Sequence, residues 1–168
     1  MARINSKAKG NSQELKISKI LTENLHPLNF KRVPSSGALL GGSNSVLAEN
    51  FNEESANVVV GDIFCTNNKV RFVIESKSYK EPIKFYELLK DNCQVYGWYQ
   101  EAAFDCEKFE NRLPLLIFKY NRTDDFVCIS HNLVKNLVSS SKLITVGDLS
   151  ILRLSDFLEL GAEFWLTS

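Results

Sequence analysis

Residues 113–120, LPLLIFKY, are a nearly continuous apolar run, and no other stretch of the chain restricts the fold as strongly. Such a run predicts a strand buried inside a sheet. A sheet of this kind needs cover, and residues 12–25 supply a helical stripe of apolar positions with polar residues opposite. The apolar positions of that stripe are Leu15, Ile17, Ile20, Leu21 and Leu25.

Turn residues and alternating patterns divide the rest of the chain into further elements. Asn11 or Ser12 is predicted to cap the first helix, and His26-Pro27 ends it. Residues 84–108 predict one long aromatic-rich helix or two, with Gly97 as the point of division. This order of elements predicts an α/β or α+β sheet with helices packed on it. Strands are predicted at 29–33, 57–65, 69–78, 126–129 and 149–154, and short helices at 132–138 and 157–160.

The 168 residues are predicted to form a single domain, 1–168, with a long loop at about 38–57. Glycine, serine and asparagine are frequent in the first half of this loop, and an acidic stretch follows at 50–54. A loop of this length inside a compact domain is often either functional or mobile.

The sequence argues against several protein classes. It has no run of about 18 apolar residues that would span a membrane, and its first residues lack the apolar core of a secretory signal. We therefore expect a cytoplasmic protein without a membrane partner, in the host cytoplasm if the chain is virus-encoded. Four cysteines are few for a disulfide framework in a chain of this length, and the two histidines lie near no cysteine pair that could complete a zinc site. We therefore expect free, mostly buried thiols.

Positive charge is concentrated at the start of the chain, although the whole sequence has a formal net charge of zero. Residues 1–33 contain seven cations and two anions, Glu14 and Glu23, which gives this segment a net charge of +5. Such asymmetry is typical either of a solvated helix face or of a segment that meets a polyanion. The cations are Arg3, Lys7, Lys9, Lys16, Lys19, Lys31 and Arg32.

Charged residues also occur on the predicted hairpin. Residues two apart in a strand face the same side, so Glu75 and Lys77 point together. If Asn67-Asn68 is a two-residue turn, Asp62 lies opposite Val73, and Glu75 is its diagonal neighbour at roughly 7–8 Å. The three charged side chains then share one face of the hairpin, and the other face is apolar. The apolar positions are Ile63, Val70, Phe72 and Ile74.

Two carboxylates at this separation suit one hard divalent cation, because Mg²⁺ prefers oxygen ligands and keeps several of its waters. Such a cation can polarise a phosphodiester and lower the pKa of a bound water. The Lys77 ammonium could orient that water, and Glu14 in the first helix could reach the same site. The pattern therefore predicts metal-dependent phosphodiester hydrolysis.

These residues resemble the PD-(D/E)XK nuclease superfamily, and within it the archaeal-type Holliday-junction resolvases and their phage-encoded relatives. The motifs occur in the family's order over most of the chain, although Gly61 replaces the usual proline before the aspartate. Residues 114–122 and 155–160 resemble the strand-and-turn motif and the C-terminal D-F-L-x-L of the phage members. The other motifs are the K-G…E helix at 7–14, the R-x-x-x-S-G segment at 32–37, the aspartate at 62 and the E-x-K at 75–77.

The resemblance implies an α/β fold with a restriction-endonuclease-like core, in which helices flank a central mixed β-sheet in the order αβββαβ. It implies Mg²⁺ or Mn²⁺ held by Asp62 and Glu75, with the Ser76 main-chain carbonyl as a further ligand. Glu14 is implied to support this metal or a second one, and Lys77 to position the attacking water.

The resemblance also implies a DNA-binding surface. Either Ser35 or Ser36 is expected to contact the phosphate near the cut, and the sequence leaves this choice open. Phosphate contacts set affinity and salt dependence but not sequence preference. The cations expected to make them are Lys7, Lys9, Lys31, Arg32 and Lys80.

The function implied is that of a Mg²⁺-dependent endodeoxyribonuclease that resolves branched DNA. We expect it to act as a homodimer, because two symmetric nicks need two active sites. One alternative is a restriction-like, repair or recombination nuclease on duplex DNA or DNA ends, since nucleases of this kind share the catalytic core. Another is a DNA-binding protein of the same fold that no longer cuts.

Overall fold

The computed structural model describes residues 6–33, 61–107 and 109–167, with side chains from residue 10 onward. Ser35, Ser36 and the predicted loop at 38–57 lie outside the described residues. The predicted order αβββαβ is present from residue 6 to residue 120.

The helices and strands have the following bounds. The helices are α1 (Ser6–Asn24), α2 (Gln94–Cys106), α3 (His131–Val134), α4 (Leu154–Leu158) and α5 (Gly161–Phe164). The strands are β1 (Phe30–Arg32), β2 (Ile63–Cys65), β3 (Phe72–Tyr79), β4 (Leu113–Tyr120), β5 (Asp125–Ser130), β6 (Ile144–Val146) and β7 (Leu149–Arg153). Short 3₁₀ turns at Phe85–Leu89 and Ser140–Lys142 precede α2 and β6.

In the described residues, the strands form a mixed sheet in the order β1-β2-β3-β4-β5-β7-β6. β3 and β4 pair in parallel, from Phe72 opposite Leu113 to Tyr79 opposite Tyr120, and the other neighbours are antiparallel. A parallel pair needs a crossover connection, which the segment containing α2 provides. β4 coincides with the apolar run at 113–120. The predicted α/β fold, a central mixed sheet flanked by helices, is therefore confirmed.

Helices cover both faces of this sheet. α1 packs on one face, where its Ile17 belongs to the same buried cluster as Ile74 of β3. α2 packs on the opposite face, where its Val95 lies in a cluster with Leu116 of β4. Successive residues of β3 therefore point alternately into the α1 layer and the α2 layer. The aromatic side chains that extend the α1 layer are Phe72, Phe157, Phe164 and Trp165.

The state of the cysteines and the character of the helices can be compared with the sequence. Cys65, Cys93, Cys106 and Cys128 are free and buried, as predicted. Buried thiols of this kind behave as small apolar side chains. Among the described helices, none combines the length and the apolarity that a membrane crossing requires.

Two local predictions were wrong, and one strand was not predicted. α1 begins at Ser6 rather than at Asn11 or Ser12, and the Asn11 side chain accepts a hydrogen bond from Arg32 instead of capping the helix. Gly97 does not divide the aromatic-rich segment, because it lies inside α2, and the division falls at residues 90–93. The sequence analysis also missed β6, a three-residue strand that pairs only with β7 among the described strands.

The position of Gly97 inside α2 gives a test of the fold. A Cβ built on this residue would meet no atom within 4 Å, so alanine removes the helix penalty of glycine without a clash. We expect Gly97→Ala to raise the free energy of unfolding by about 0.5–1 kcal/mol in urea denaturation. A lower stability would contradict the helical conformation of this residue.

Candidate active site

β3 carries Glu75 and Lys77 on the face of the sheet that α2 covers. Glu75 is 9% exposed, and the Lys77 side chain is 27% exposed. The Lys77 Nζ lies 2.7 Å from the Glu75 Oε1, so the two groups form a hydrogen-bonded ion pair. Ser76 alternates into the α1 layer, where it is buried and its Oγ has no hydrogen-bond partner among the described residues.

Asp62 is held beside this segment by its backbone and its side chain. Its N–H donates to the Ile74 carbonyl oxygen at 2.9 Å, and its carbonyl accepts from the Val33 N–H at 2.9 Å. Its Oδ2 accepts a hydrogen bond from the Ser76 N–H at 2.9 Å. The structure therefore joins Asp62 to the E-x-K segment, as the sequence predicted.

The register of the hairpin differs from the prediction. Ile63 pairs with Ile74, whereas a two-residue turn at Asn67-Asn68 would pair Ile63 with Phe72. The connection is longer because the backbone N–H groups of Lys69 and Val70 bond to the Asn67 side-chain and main-chain oxygens. Asp62 and Glu75 consequently flank the Ile63–Ile74 pair, instead of Asp62 lying opposite Val73. The shift is an even number of residues, so the predicted faces of the hairpin are unchanged.

The Asp62 and Glu75 carboxyl groups are both largely buried, and their negative charges repel each other. Burial and the neighbouring Asp62 charge raise the pKa of Glu75 well above its ordinary value, although Lys77 acts in the opposite direction. The site thus favours a proton on Glu75 unless additional positive charge offsets the Asp62 carboxylate. A divalent cation would provide that charge.

A second carboxylate contacts Lys77 from α2. The Glu101 Oε2 lies 2.6 Å from the Lys77 Nζ, on the side of the ammonium that faces solvent. Burial lowers the pKa of Lys77, but the charges and hydrogen bonds of Glu75 and Glu101 outweigh it and hold the pKa above its ordinary value. The sequence analysis missed Glu101, because an exposed helical glutamate outside any motif gives no signal of its own.

Glu14 approaches from α1, on the other face of the sheet. The Arg32 Nε donates to the Glu14 Oε2 at 2.5 Å, and the Arg32 guanidinium also donates to the Asn11 Oδ1 at 2.7 Å. Burial raises the pKa of Glu14 more than the hydrogen bond from Arg32 lowers it, and the Asp62 charge raises it further. Glu14 is therefore near enough to Asp62 to respond to its charge, while its side chain is paired with Arg32.

The side chains of this site can be compared with the ligands that a divalent cation requires. Among the described side chains, no three from His, Cys, Asp and Glu lie close enough together to hold a metal ion. Asp62 and Glu75 nevertheless offer hard oxygen donors in a buried position, and Mg²⁺ is commonly held by one or two carboxylates together with waters and phosphate oxygens. This pair fits such an ion, whereas Glu14 and the Ser76 carbonyl stay predicted ligands.

The described residues that were predicted to bind DNA lie on α1, on β1 and directly after β3. Lys31 on β1 and Lys80 after β3 are exposed, and the Lys80 Nζ lies 3.5 Å from the adjacent Glu81. Lys7 and Lys9 belong to the first turns of α1. Their phosphate contacts, like those of Arg32, stay predictions.

Comparisons with known proteins add a family and one solved structure. The chain is similar to Hjc, a Holliday junction resolvase from the archaeal hyperthermophile Archaeoglobus fulgidus, at 14% sequence identity and a TM-score of 0.39. That similarity covers 89% of this chain and 87% of the other. No curated protein matches the chain. A family model of phage PDDEXK endonucleases matches residues 5–159, a range that contains every predicted catalytic residue.

A substitution of Gly61 tests how the backbone places Asp62. The φ of Gly61 is +79°, and a Cβ at this position would lie 2.5 Å from the Ile74 carbonyl oxygen. Neither alanine nor the proline usual in the family suits this backbone, because proline fixes φ near −65°. We expect Gly61→Ala to lower the free energy of unfolding by about 1–3 kcal/mol in urea denaturation. Unchanged stability would contradict the close approach to Ile74.

Glu75 predicts a pH dependence of stability. Its pKa in the folded chain lies above that of the unfolded chain, so the folded state binds more protons between the two values, and stability falls as pH rises through this window. In EDTA, we expect the free energy of unfolding of Glu75→Gln to exceed that of the wild type by about 1–3 kcal/mol at pH values above this window. Near pH 4 the two proteins should be equally stable.

The measurement for Glu75→Gln is urea denaturation of both proteins at a series of pH values without metal. Glu110→Gln removes a charge from an exposed residue and serves as the matched control. A stability difference for Glu75→Gln that does not change with pH would contradict the buried, repelling pair.

Proposed function

Because the chain belongs to the phage PDDEXK endonuclease family, we propose that it hydrolyses DNA at a metal-dependent centre built on Asp62, Glu75 and Lys77. One observation carries this proposal. Asp62 accepts a hydrogen bond from the backbone of β3 directly beside the Glu75–Lys77 ion pair, and both carboxylates are largely buried. Burying charge is unfavourable unless partners offset it, so this grouping supports a site better than it supports solvated surface charge.

The proposed centre combines two carboxylates with one ammonium group. Asp62 and Glu75 would hold Mg²⁺ or Mn²⁺, with the Ser76 main-chain carbonyl as a further ligand and Glu14 in support. Such a cation, when bound, polarises a phosphodiester and lowers the pKa of a coordinated water. The Lys77 ammonium donates hydrogen bonds that orient the attacking water, and its charge offsets the negative charge that builds on the phosphate.

DNA approaches this centre across the strands that carry its residues. Ser35 or Ser36 contacts the phosphate next to the scissile bond. The predicted DNA-binding cations bind neighbouring phosphates. These contacts make the affinity depend on salt concentration but not on DNA sequence. These cations are Lys7, Lys9, Lys31, Arg32 and Lys80.

The substrate that we propose is branched DNA, with the Holliday junction as the first candidate. The support is the series of motifs shared with archaeal-type and phage-encoded resolvases, which extends beyond the catalytic residues to 114–122 and 155–160. A homodimer supplies the two active sites that paired nicks require. A phage nuclease of this kind acts in the host cytoplasm.

The proposal is tested by cleavage of a labelled four-way junction beside its separate linear arms. With Mg²⁺ or Mn²⁺, we expect the wild type to place paired, symmetric nicks in the junction, and EDTA to prevent them. Glu75→Ala should lower the cleavage rate by about 10³-fold or more, because it removes a predicted metal ligand. DNA binding by Glu75→Ala should be retained.

Glu110→Ala, which removes an exposed carboxylate, is the control and should cut like the wild type. Equal cutting of junction and linear duplex would keep the site and replace the resolvase with a duplex nuclease. Binding without any cutting would favour the non-cutting DNA-binding protein. Normal cutting by Glu75→Ala would show that the centre lies elsewhere.

A further inference from the structure

Lys77 is held by two carboxylates that come from different parts of the fold. Its Nζ lies 2.7 Å from Glu75 on the same strand and 2.6 Å from Glu101 on α2. The Glu101 side chain is 56% exposed, whereas Glu75 is buried, so Glu101 reaches the ammonium from solvent. The two contacts enclose the ammonium between the core and the surface.

The contact with Glu101 has little value for folding. An ion pair with an exposed partner contributes about 0–1 kcal/mol, since water and salt screen it and the side chains lose freedom. α2 is held to the sheet without this pair, because its Val95, Ala102 and Cys106 are buried. Ala102 directly follows Glu101, which fixes where the backbone of Glu101 lies above β3.

Glu75 has two roles that compete. In the proposed centre, the Glu75 carboxylate would help Asp62 to hold the cation, and it would then have less capacity to accept a hydrogen bond from Lys77. An ammonium with no other partner would turn towards solvent, because its four-carbon chain is flexible. A second carboxylate outside the metal site removes this conflict.

We propose that Glu101 is a positioning residue, which holds the Lys77 ammonium at the catalytic centre while Glu75 is engaged with the cation. This inference rests on the proposed function, since it concerns the same Lys77. Glu101 touches neither the phosphate nor the metal in this scheme. Glu101 affects cleavage only because it determines the position of the Lys77 ammonium.

The charge of Glu101 gives the proposal a kinetic signature. A carboxylate at the exposed edge of the site repels approaching phosphates, so its neutralisation does not weaken DNA binding. Misplacement of Lys77 by about 1 Å lowers the rate of the chemical step by about 10- to 100-fold. Glu101→Gln should therefore lower kcat by about 10- to 100-fold and leave KM unchanged or lower.

The kinetic experiment compares Glu101→Gln with Glu107→Gln, which removes the same charge from an exposed residue further along the chain, at the end of α2. Glu101→Asp keeps the charge and should recover part of kcat. If the wild type cuts DNA and Glu101→Gln has the same kcat, the inference is overturned. A wild type that cuts no DNA would instead overturn the proposed function, and the inference with it.

A second measurement does not depend on cleavage. In ¹⁵N-lysine NMR of the protein with Mg²⁺ and without DNA, we expect a slowly exchanging ammonium signal from Lys77, assigned by its disappearance in Lys77→Arg. The signal should be present in the wild type and in Glu107→Gln, and broadened or lost in Glu101→Gln. Its persistence in Glu101→Gln would show that Glu75 alone restrains the ammonium and would overturn the inference.

Discussion

The parallel pairing of β3 with β4 determines where the other elements lie. β4 is buried along Leu115–Phe118, so helices must cover both faces of the sheet around it. The parallel connection carries α2 across one face, and α1 fills the other. β3 consequently turns Ile74 into the α1 layer and Glu75 with Lys77 beneath α2. The position of the candidate site thus follows from the packing of an apolar strand, β4, whose Leu116 and Phe118 lie opposite Glu75 and Lys77.

Electrostatics explains why this position suits a cation. The Glu75 and Glu101 carboxylates both pair with a single ammonium, that of Lys77. Asp62 adds a third carboxylate near Glu75, so the full negative charges exceed the positive one. Part of the excess is relieved by the Ser76 N–H and part by the raised pKa of Glu75. Neither removes the repulsion completely, because Asp62 and Glu75 are buried and largely shielded from water. The divalent cation that we propose for this site would offset this remaining imbalance.

Different parts of this arrangement were accessible from the sequence to different degrees. The apolar run predicted β4 to the residue, since burial alone selects such a composition. The shared face of Asp62, Glu75 and Lys77 was predicted although the register was wrong, because a shift of two residues preserves the face. The register itself depends on how Asn67 closes the turn, and the contact of Glu101 depends on where α2 crosses β3. Both are properties of tertiary packing rather than of local pattern.

The short strands β1 and β2 show how a carboxylate can be placed without much packing. Each has only three residues, yet together with β3 they bind the backbone of Asp62 from both sides, through Val33 and Ile74. The positive φ of Gly61 lets the chain approach Ile74 closely enough for that bond. Backbone hydrogen bonds are directional, so a few of them fix Asp62 more tightly than apolar contacts of the same extent. The strand ends therefore serve as the frame of the site, and the long apolar strand β4 supplies the stability on which that frame depends.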